Sequence, residues 1–155
     1  MSVTGEASAA ADGTTLRGRF GPAMTVLAAA GLAIATYLLT VRVLGEAPAC
    51  GPVKGCETVA ASQYATVFGV VPVALFGVGF SIVLVAACLV WWRRADRRAL
   101  YAAYGLGLAG ILAVAYLTYL ELFVIDAICV WCAGYGVTIV AGWALAAFGA
   151  WRRPD

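Results

Sequence analysis

Apolar residues fall into four long runs along this chain, at roughly 22–44, 67–92, 99–123 and 127–150, each ending in charged or turn-forming positions. About 20 apolar residues cross the hydrocarbon core of a bilayer as a helix. Lipid offers backbone amides no partner, so spans of this length are predicted to be helical. Polar residues gather between the runs, in a loop over 45–66, an arginine-rich link over 93–98 and a short link near Asp126. The first 20 residues are small, polar and rich in Gly, Ala and Thr, which predicts a disordered tail. The pattern predicts an all-α integral membrane protein. It has a four-transmembrane-helix bundle over 21–151 behind the tail 1–20, without an internal repeat or a soluble domain.

Composition agrees with this class. Of the 155 residues, 64% are hydrophobic and 12% charged, far more apolar than a soluble domain. There is no His, which removes His-based general base catalysis, Cys–His nucleophile pairs and His metal sites. The position of the basic residues matters more than the net charge of +2. Arg17 and Arg19 precede the first span, Arg93, Arg94, Arg97 and Arg98 fill the central link, and Arg152 and Arg153 follow the last span. The positive-inside rule makes these segments, and so both termini, cytoplasmic. Trp91, Trp92 and Trp151 lie beside those arginines, as interfacial aromatics do. The loop 45–66, with Lys54 against Glu46 and Glu57, and the link near Asp126 then lie outside. Ala47-Pro48-Ala49 resembles a signal cleavage site, but the preceding apolar run is too long for a signal peptide and Arg42 interrupts it. A retained first span is expected.

Candidate chemistry rests on cysteine. Cys88 sits alone among Ala and Val inside the second span and reads as packing. The other four cysteines fall at the outer face, in a compartment where disulfides persist. Cys50 and Cys56 flank Gly51-Pro52-Val53-Lys54-Gly55, a turn-favouring stretch; a structural staple and a redox-active pair fit it equally well. Cys129-Val130-Trp131-Cys132 opens the last helix, where the helix dipole and free amides favour thiolate, with Asp126 as a candidate cap. A Cys₄ zinc site normally uses two C-x-x-C knuckles in a polar context, and only one is present. Thiol–disulfide exchange moves two electrons. The chain has no C-x-x-C-H haem motif and no dinucleotide-binding glycine motif. A lipid-soluble quinone in a pocket between helices meets the need for an acceptor reachable from the bilayer.

The ordered set of motifs resembles the vitamin K epoxide reductase family, in its bacterial branch. It comprises Cys50 and Cys56, then Glu57-Thr58-Val59-Ala60-Ala61-Ser62-Gln63-Tyr64-Ala65, Val67-Phe68-Gly69, Pro72, Leu75-Phe76-Gly77, and finally Cys129-Val130-Trp131-Cys132. The likeness covers about 20–150. It implies a bundle around a quinone of the menaquinone, ubiquinone or vitamin K type, with a short half-helix near 57–63 in the first extracytoplasmic loop lying over the pocket. It also implies a thiol:quinone oxidoreductase supporting disulfide formation in exported proteins, in a bacterial plasma membrane, without metal or nucleic acid. In the route it implies, a separate thioredoxin-like or DsbA-like extracytoplasmic partner attacks the Cys50–Cys56 disulfide at Cys50. Cys56 then attacks Cys129, and Cys132 is freed to face the quinone. A separate partner is expected because the chain ends at Asp155 while many relatives carry a fused thioredoxin-like domain.

The resemblance assigns Ser62 the holding of the pocket cover. Tyr64, Phe76, Phe80 and Tyr135 are candidates for the quinone wall, as is Tyr116, and each also reads as ordinary packing. Vertebrate relatives have an Asn in the second helix where this chain has Val73, and a Tyr where it has Gly136, beside Tyr135. Those departures favour plain quinone reduction over epoxide reduction. Arg42 and Glu121 fall near the outer ends of their spans and are read as an ion pair, a proton-uptake pair or snorkelling side chains. Gly134, Gly136 and Gly142 are read as permitting close helix contacts. Two other readings stand: the disulfide-bond B type of quinone reductase, which carries its cysteine pairs in the reverse order, and a non-enzymatic scaffold with structural disulfides.

Overall fold

The computed structural model describes residues 3–51 and 55–151, with side chains from Gly18 onward. The turn residues Pro52, Val53 and Lys54, the final Arg152 and Arg153, and the side chain of Arg17 lie outside the described residues. Helix α1 runs over Val3–Val43, α2 over Gly55–Ala61, α3 over Val73–Arg94, α4 over Arg97–Leu120 and α5 over Val130–Trp151. A 3-10 turn, Gln63–Ala65, and a two-residue hairpin, β1 Thr66–Val67 with β2 Val71–Pro72, stand between α2 and α3. A π-turn, Glu121–Ile125, prolongs α4.

Four segments are long and apolar enough to cross a membrane: Gly18–Val43, Val73–Arg94, Arg97–Ile125 and Val130–Trp151. The backbone is helical from Val3, including residues read from composition as a disordered tail. Four alanines between positions 7 and 11 favour helix there. The second span begins at Val73, not near 67. The apolar run is unbroken across that boundary, but Thr66 pairs with Pro72 and Val67 with Val71. Phe68 and Gly69 turn the chain at φ 53° and 74°. Pro72, which has no N–H to give the ladder, then precedes the first helical residue.

The link between α3 and α4 is two residues long. Ala95 adopts the left-handed conformation and donates its N–H to Trp91, and Asp96 caps α4 by accepting from the Arg98 amide at 2.9 Å. The two helices therefore return antiparallel. Helix α1 packs on α3 and α5, and α4 packs on α3 and α5. Met24, Leu84, Cys88, Trp91, Leu100, Ile139 and Ala146 form the buried core. Cys88 is thus a packed core thiol. Ile82, Leu112 and Val137 lie more than half exposed on the outside of the helices, where a lipid-facing bundle places apolar side chains. The loop after α1 folds over one end of the bundle, and α2 rests on the π-turn and the start of α5.

Candidate active site

The late cysteine pair straddles the start of α5. Cys129 is buried immediately before the first helical residue, and its carbonyl accepts the Ala133 amide at 3.0 Å. Cys132, one turn on, is half-buried. Asp126 does not cap α5. It sits left-handed at φ 55° and closes the π-turn, donating its amide to the Glu121 carbonyl. The amide of Cys129, one of the N-terminal donors a helix leaves unmet, is taken instead by Glu121 Oε2 at 3.2 Å. Both groups are buried, so the carboxylate acts as a cap from the neighbouring helix.

The two thiols differ in acidity. The Cys132 thiol donates to the Cys129 sulfur, helped by the amides of Cys132 and Trp131. Together these bring the Cys129 thiol down from the ordinary 9.0 to about 7, against burial and the charge of Glu121. Cys129 is therefore mostly thiol below that pH and mostly thiolate above it. In a Cys88→Ala protein with the loop disulfide intact, ultraviolet thiolate absorbance is expected to rise with a midpoint of about 7. A midpoint at the ordinary cysteine value would show that the pair exerts no such effect.

Cys50 and Cys56 are joined in a disulfide, with their Cα atoms 6.0 Å apart. Cys56 is 0% exposed, on the first turn of α2. The preceding residue explains how α2 sits so close to α5: a Cβ on Gly55 would lie 2.1 Å from the carbonyl oxygen of Ile128. Backbone meets backbone at the residue before Cys56 and the residue before Cys129. A second tie holds the other end of the loop. Ala49 donates its amide to the Tyr37 hydroxyl at 3.0 Å, and its carbonyl accepts from Trp131 Nε1 at 2.9 Å. The Tyr37 and Trp131 rings lie 4.7 Å apart. The residue before Cys50 is thus fastened to the interior of the C-x-x-C motif. The partners of Tyr37, Gly55 and Trp131 lie far away along the chain, where local sequence pattern does not reveal them.

Cys56, Cys129 and Cys132 line one cavity of about 370 Å³, at the end of the bundle under α2. Cys50 is not on its wall. Ser62, Tyr64, Phe76, Phe80 and Tyr135 all line it. Phe76 is 57% exposed, so that wall also faces outward, between helix and lipid. Tyr116, 61% exposed, lies away from the cavity. The Ser62 hydroxyl donates to the Val59 carbonyl at 2.7 Å, and Arg42 donates to the Ala60 carbonyl at 2.9 Å. These are the last carbonyls of α2, which its own helix cannot satisfy. Arg42 and Glu121, read as a possible pair, thus have separate partners. The Tyr135 hydroxyl lies 3.1 Å from that of Ser81, a buried serine whose signal was its isolation in an apolar run. Val73 lines the cavity at the start of α3. A Cβ on Gly136 would meet Val114 at 2.8 Å, which accounts for that glycine. Gly134 has only ordinary contact with Ile34, and Gly142 faces open space, so neither provides a close approach.

The cavity volume lies in the range of about 300–1,000 Å³ that small-molecule sites occupy, with a mainly apolar wall and few polar groups. Residues 22–147 match the model of the vitamin K epoxide reductase family, most of the chain. No curated protein matches it.

Proposed function

The chain belongs to the vitamin K epoxide reductase family, and on that premise we propose that it carries electrons from a reduced thioredoxin-like partner through two cysteine pairs to a quinone. Membership makes it a membrane oxidoreductase working between thiols and quinones. The observation that carries the finer reading is the shared wall: Cys56, Cys129 and Cys132 border one apolar cavity under the loop.

A partner thiolate attacks the Cys50 sulfur, the bond to Cys56 breaks, and Cys56 leaves as thiolate. Cys56 attacks Cys129 in the oxidised late pair and displaces Cys132. The second partner thiol releases Cys50, which attacks Cys56 and displaces Cys129. The loop disulfide is restored and both late thiols are reduced, the same set of bonds that this structure holds. The late dithiol then gives two electrons to the quinone, its disulfide closes, and the quinone oxygens gain two protons. Burial of Cys56 and Cys129 supports this order, because Cys50, half-buried in the loop, is the one relay sulfur off the cavity wall. The arginines flanking the α3–α4 link support a cytoplasmic side for that link and both termini, and the resemblance to the bacterial branch supports a bacterial plasma membrane.

The test is to purify the protein in detergent, supply a dithiol donor and follow quinone absorbance with ubiquinone, menaquinone and vitamin K head groups. Loss of the oxidised quinone signal in proportion to added thiol is expected. Failure with every head group, or labelling that puts the two cysteine pairs on opposite membrane faces, overturns the reading.

Ser62 gives a smaller prediction. Ser62→Ala removes a bond to an α2 carbonyl, about 1 kcal/mol of local stability, and so loosens the cavity cover. The quinone KM is expected to rise severalfold with kcat little changed. An unchanged KM would show that this bond does not hold the cover.

A further inference from the structure

We propose that Glu121 is the proton-transfer residue of the late dithiol, taking the Cys132 proton as the disulfide closes and passing it to the reduced quinone. The inference rests on the thiol-to-quinone reading above and adds a step to it.

Glu121 is 6% exposed, at the point where α4 gives way to the π-turn. A carboxylate in such a place is costly unless paired or hydrogen-bonded. Its partners are those of the redox centre: Oε2 accepts the Cys129 amide at 3.2 Å, and the Cys132 thiol lies close enough to interact with the same carboxylate. The carboxylate also lines the cavity that the two cysteines line. It therefore touches a reacting sulfur on one side and the space for the acceptor on the other. The π-turn is what brings it there. Both the Asp126 and Ala127 amides return to the Glu121 carbonyl, so the chain widens at this residue and turns back at once to Cys129. Such π-turns are often found at functional sites.

Chemistry requires a group in this position. Closing the Cys129–Cys132 bond breaks two S–H bonds and sends two electrons to the quinone, whose two oxygens each gain a proton. Half-buried Cys132 faces an apolar cavity that offers few acceptors, and Glu121 stands on the same wall. Glu121 takes that proton, which cancels its own charge beside the sulfurs, and gives it to one quinone oxygen. Cys129 has already given up its proton as the thiolate that prevails above a pH of about 7, and water protonates the other oxygen. No other oxidant or reductant is needed. Among the described residues, the other charged groups on the wall are Arg42, in the last turn of α1, and Glu46, in the loop that follows it. Arg42 already donates to Ala60.

Glu121→Gln separates proton transfer from capping. The glutamine carbonyl still accepts from the Cys129 amide, but it cannot carry a proton. The variant is expected to retain the loop disulfide and to accept electrons from the donor into the late pair. Its kcat for quinone reduction should fall by about 100-fold or more, the usual contribution of a general acid–base group. Quinone KM should hold, and Glu121→Asp should recover part of the rate. Glu121→Gln turning over at the wild-type rate overturns the proposal, as does equal loss in the Asp and Gln variants. If Glu121→Gln fails to assemble, wild-type protein decides: dicyclohexylcarbodiimide, which couples to protonated carboxyl groups in apolar surroundings, should label Glu121 and stop turnover. Absence of the label at Glu121 then overturns the assignment. A wild-type protein that reduces no quinone would instead defeat the reading on which this step rests.

Discussion

Replacing Cys132 with alanine is expected to abolish quinone reduction while leaving the bundle assembled. Cys132 lies one helical turn inside α5, on the wall of the cavity, and its thiol faces both Cys129 and Glu121. No other described thiol can substitute for it, because Cys88 is packed in the core with Met24 and Trp91. Without the second sulfur, Cys129 holds no disulfide for Cys56 to attack, so electrons from the partner stop at Cys50 and Cys56. The Cys129 thiolate can still attack Cys56 in the loop disulfide and displace Cys50 as thiolate. The variant should show that Cys56–Cys129 bond as a cross-link between the peptides of α2 and α5 that a reducing agent dissolves. Stability should fall by about 1 kcal/mol, the common size of a single substitution, because Cys132 is only half-buried and α5 is held elsewhere by Ile139 and Ala146. Quinone turnover retained by this variant, or loss of the folded bundle, would defeat the assignment. A scaffold with structural disulfides predicts the opposite pattern, a modest loss of stability with no activity to lose.

The same comparison shows what could be read from the sequence. Span lengths and cysteine spacing are local properties, and they predicted four membrane helices with the late pair at the start of the fourth. The family resemblance, not a local pattern, implied the short helix near 57–63 in the loop, and α2 is found at Gly55–Ala61. The start of the second span was misplaced because residues 67–72 are as apolar as the helix that follows. Hydropathy has no means of separating a hairpin from a helix there, and Gly69 and Pro72 were the local stops. Asp126 was misread because an acidic residue before a helix resembles a cap, whereas its left-handed backbone closes the turn behind it. Glu121 was recognised as a charge near a span end, but its burial follows from the π-turn and from α5 folding back against α4. Gly55 is the clearest case. A glycine after a Pro-containing turn reads as flexibility, and nothing local says that Ile128, more than seventy positions later, will touch it.

Gly55→Ala is expected to break the relay between the two cysteine pairs while sparing the late pair's own chemistry. The added methyl would lie 2.1 Å from the Ile128 carbonyl oxygen and 2.9 Å from the Ile128 amide nitrogen. These are backbone atoms one residue before Cys129, so no rotamer change relieves the clash. Either α2 lifts away from α5 or the start of α5 shifts, and overpacking of this kind costs about 1–3 kcal/mol. The bundle itself should survive, since α1, α3, α4 and α5 meet in a core remote from this contact. The transfer from Cys56 to Cys129 should not, because displacements of about 1 Å at a reacting centre can cost about 100-fold in rate. Two donors separate the effects. A protein dithiol that enters through Cys50 should drive quinone reduction about 100-fold more slowly than in wild type. A small dithiol that reaches the late pair directly should drive it at nearly the wild-type rate. Equal loss with both donors would mean that Gly55 supports the fold of the site as a whole. No loss with either would mean that the electrons do not pass between α2 and α5.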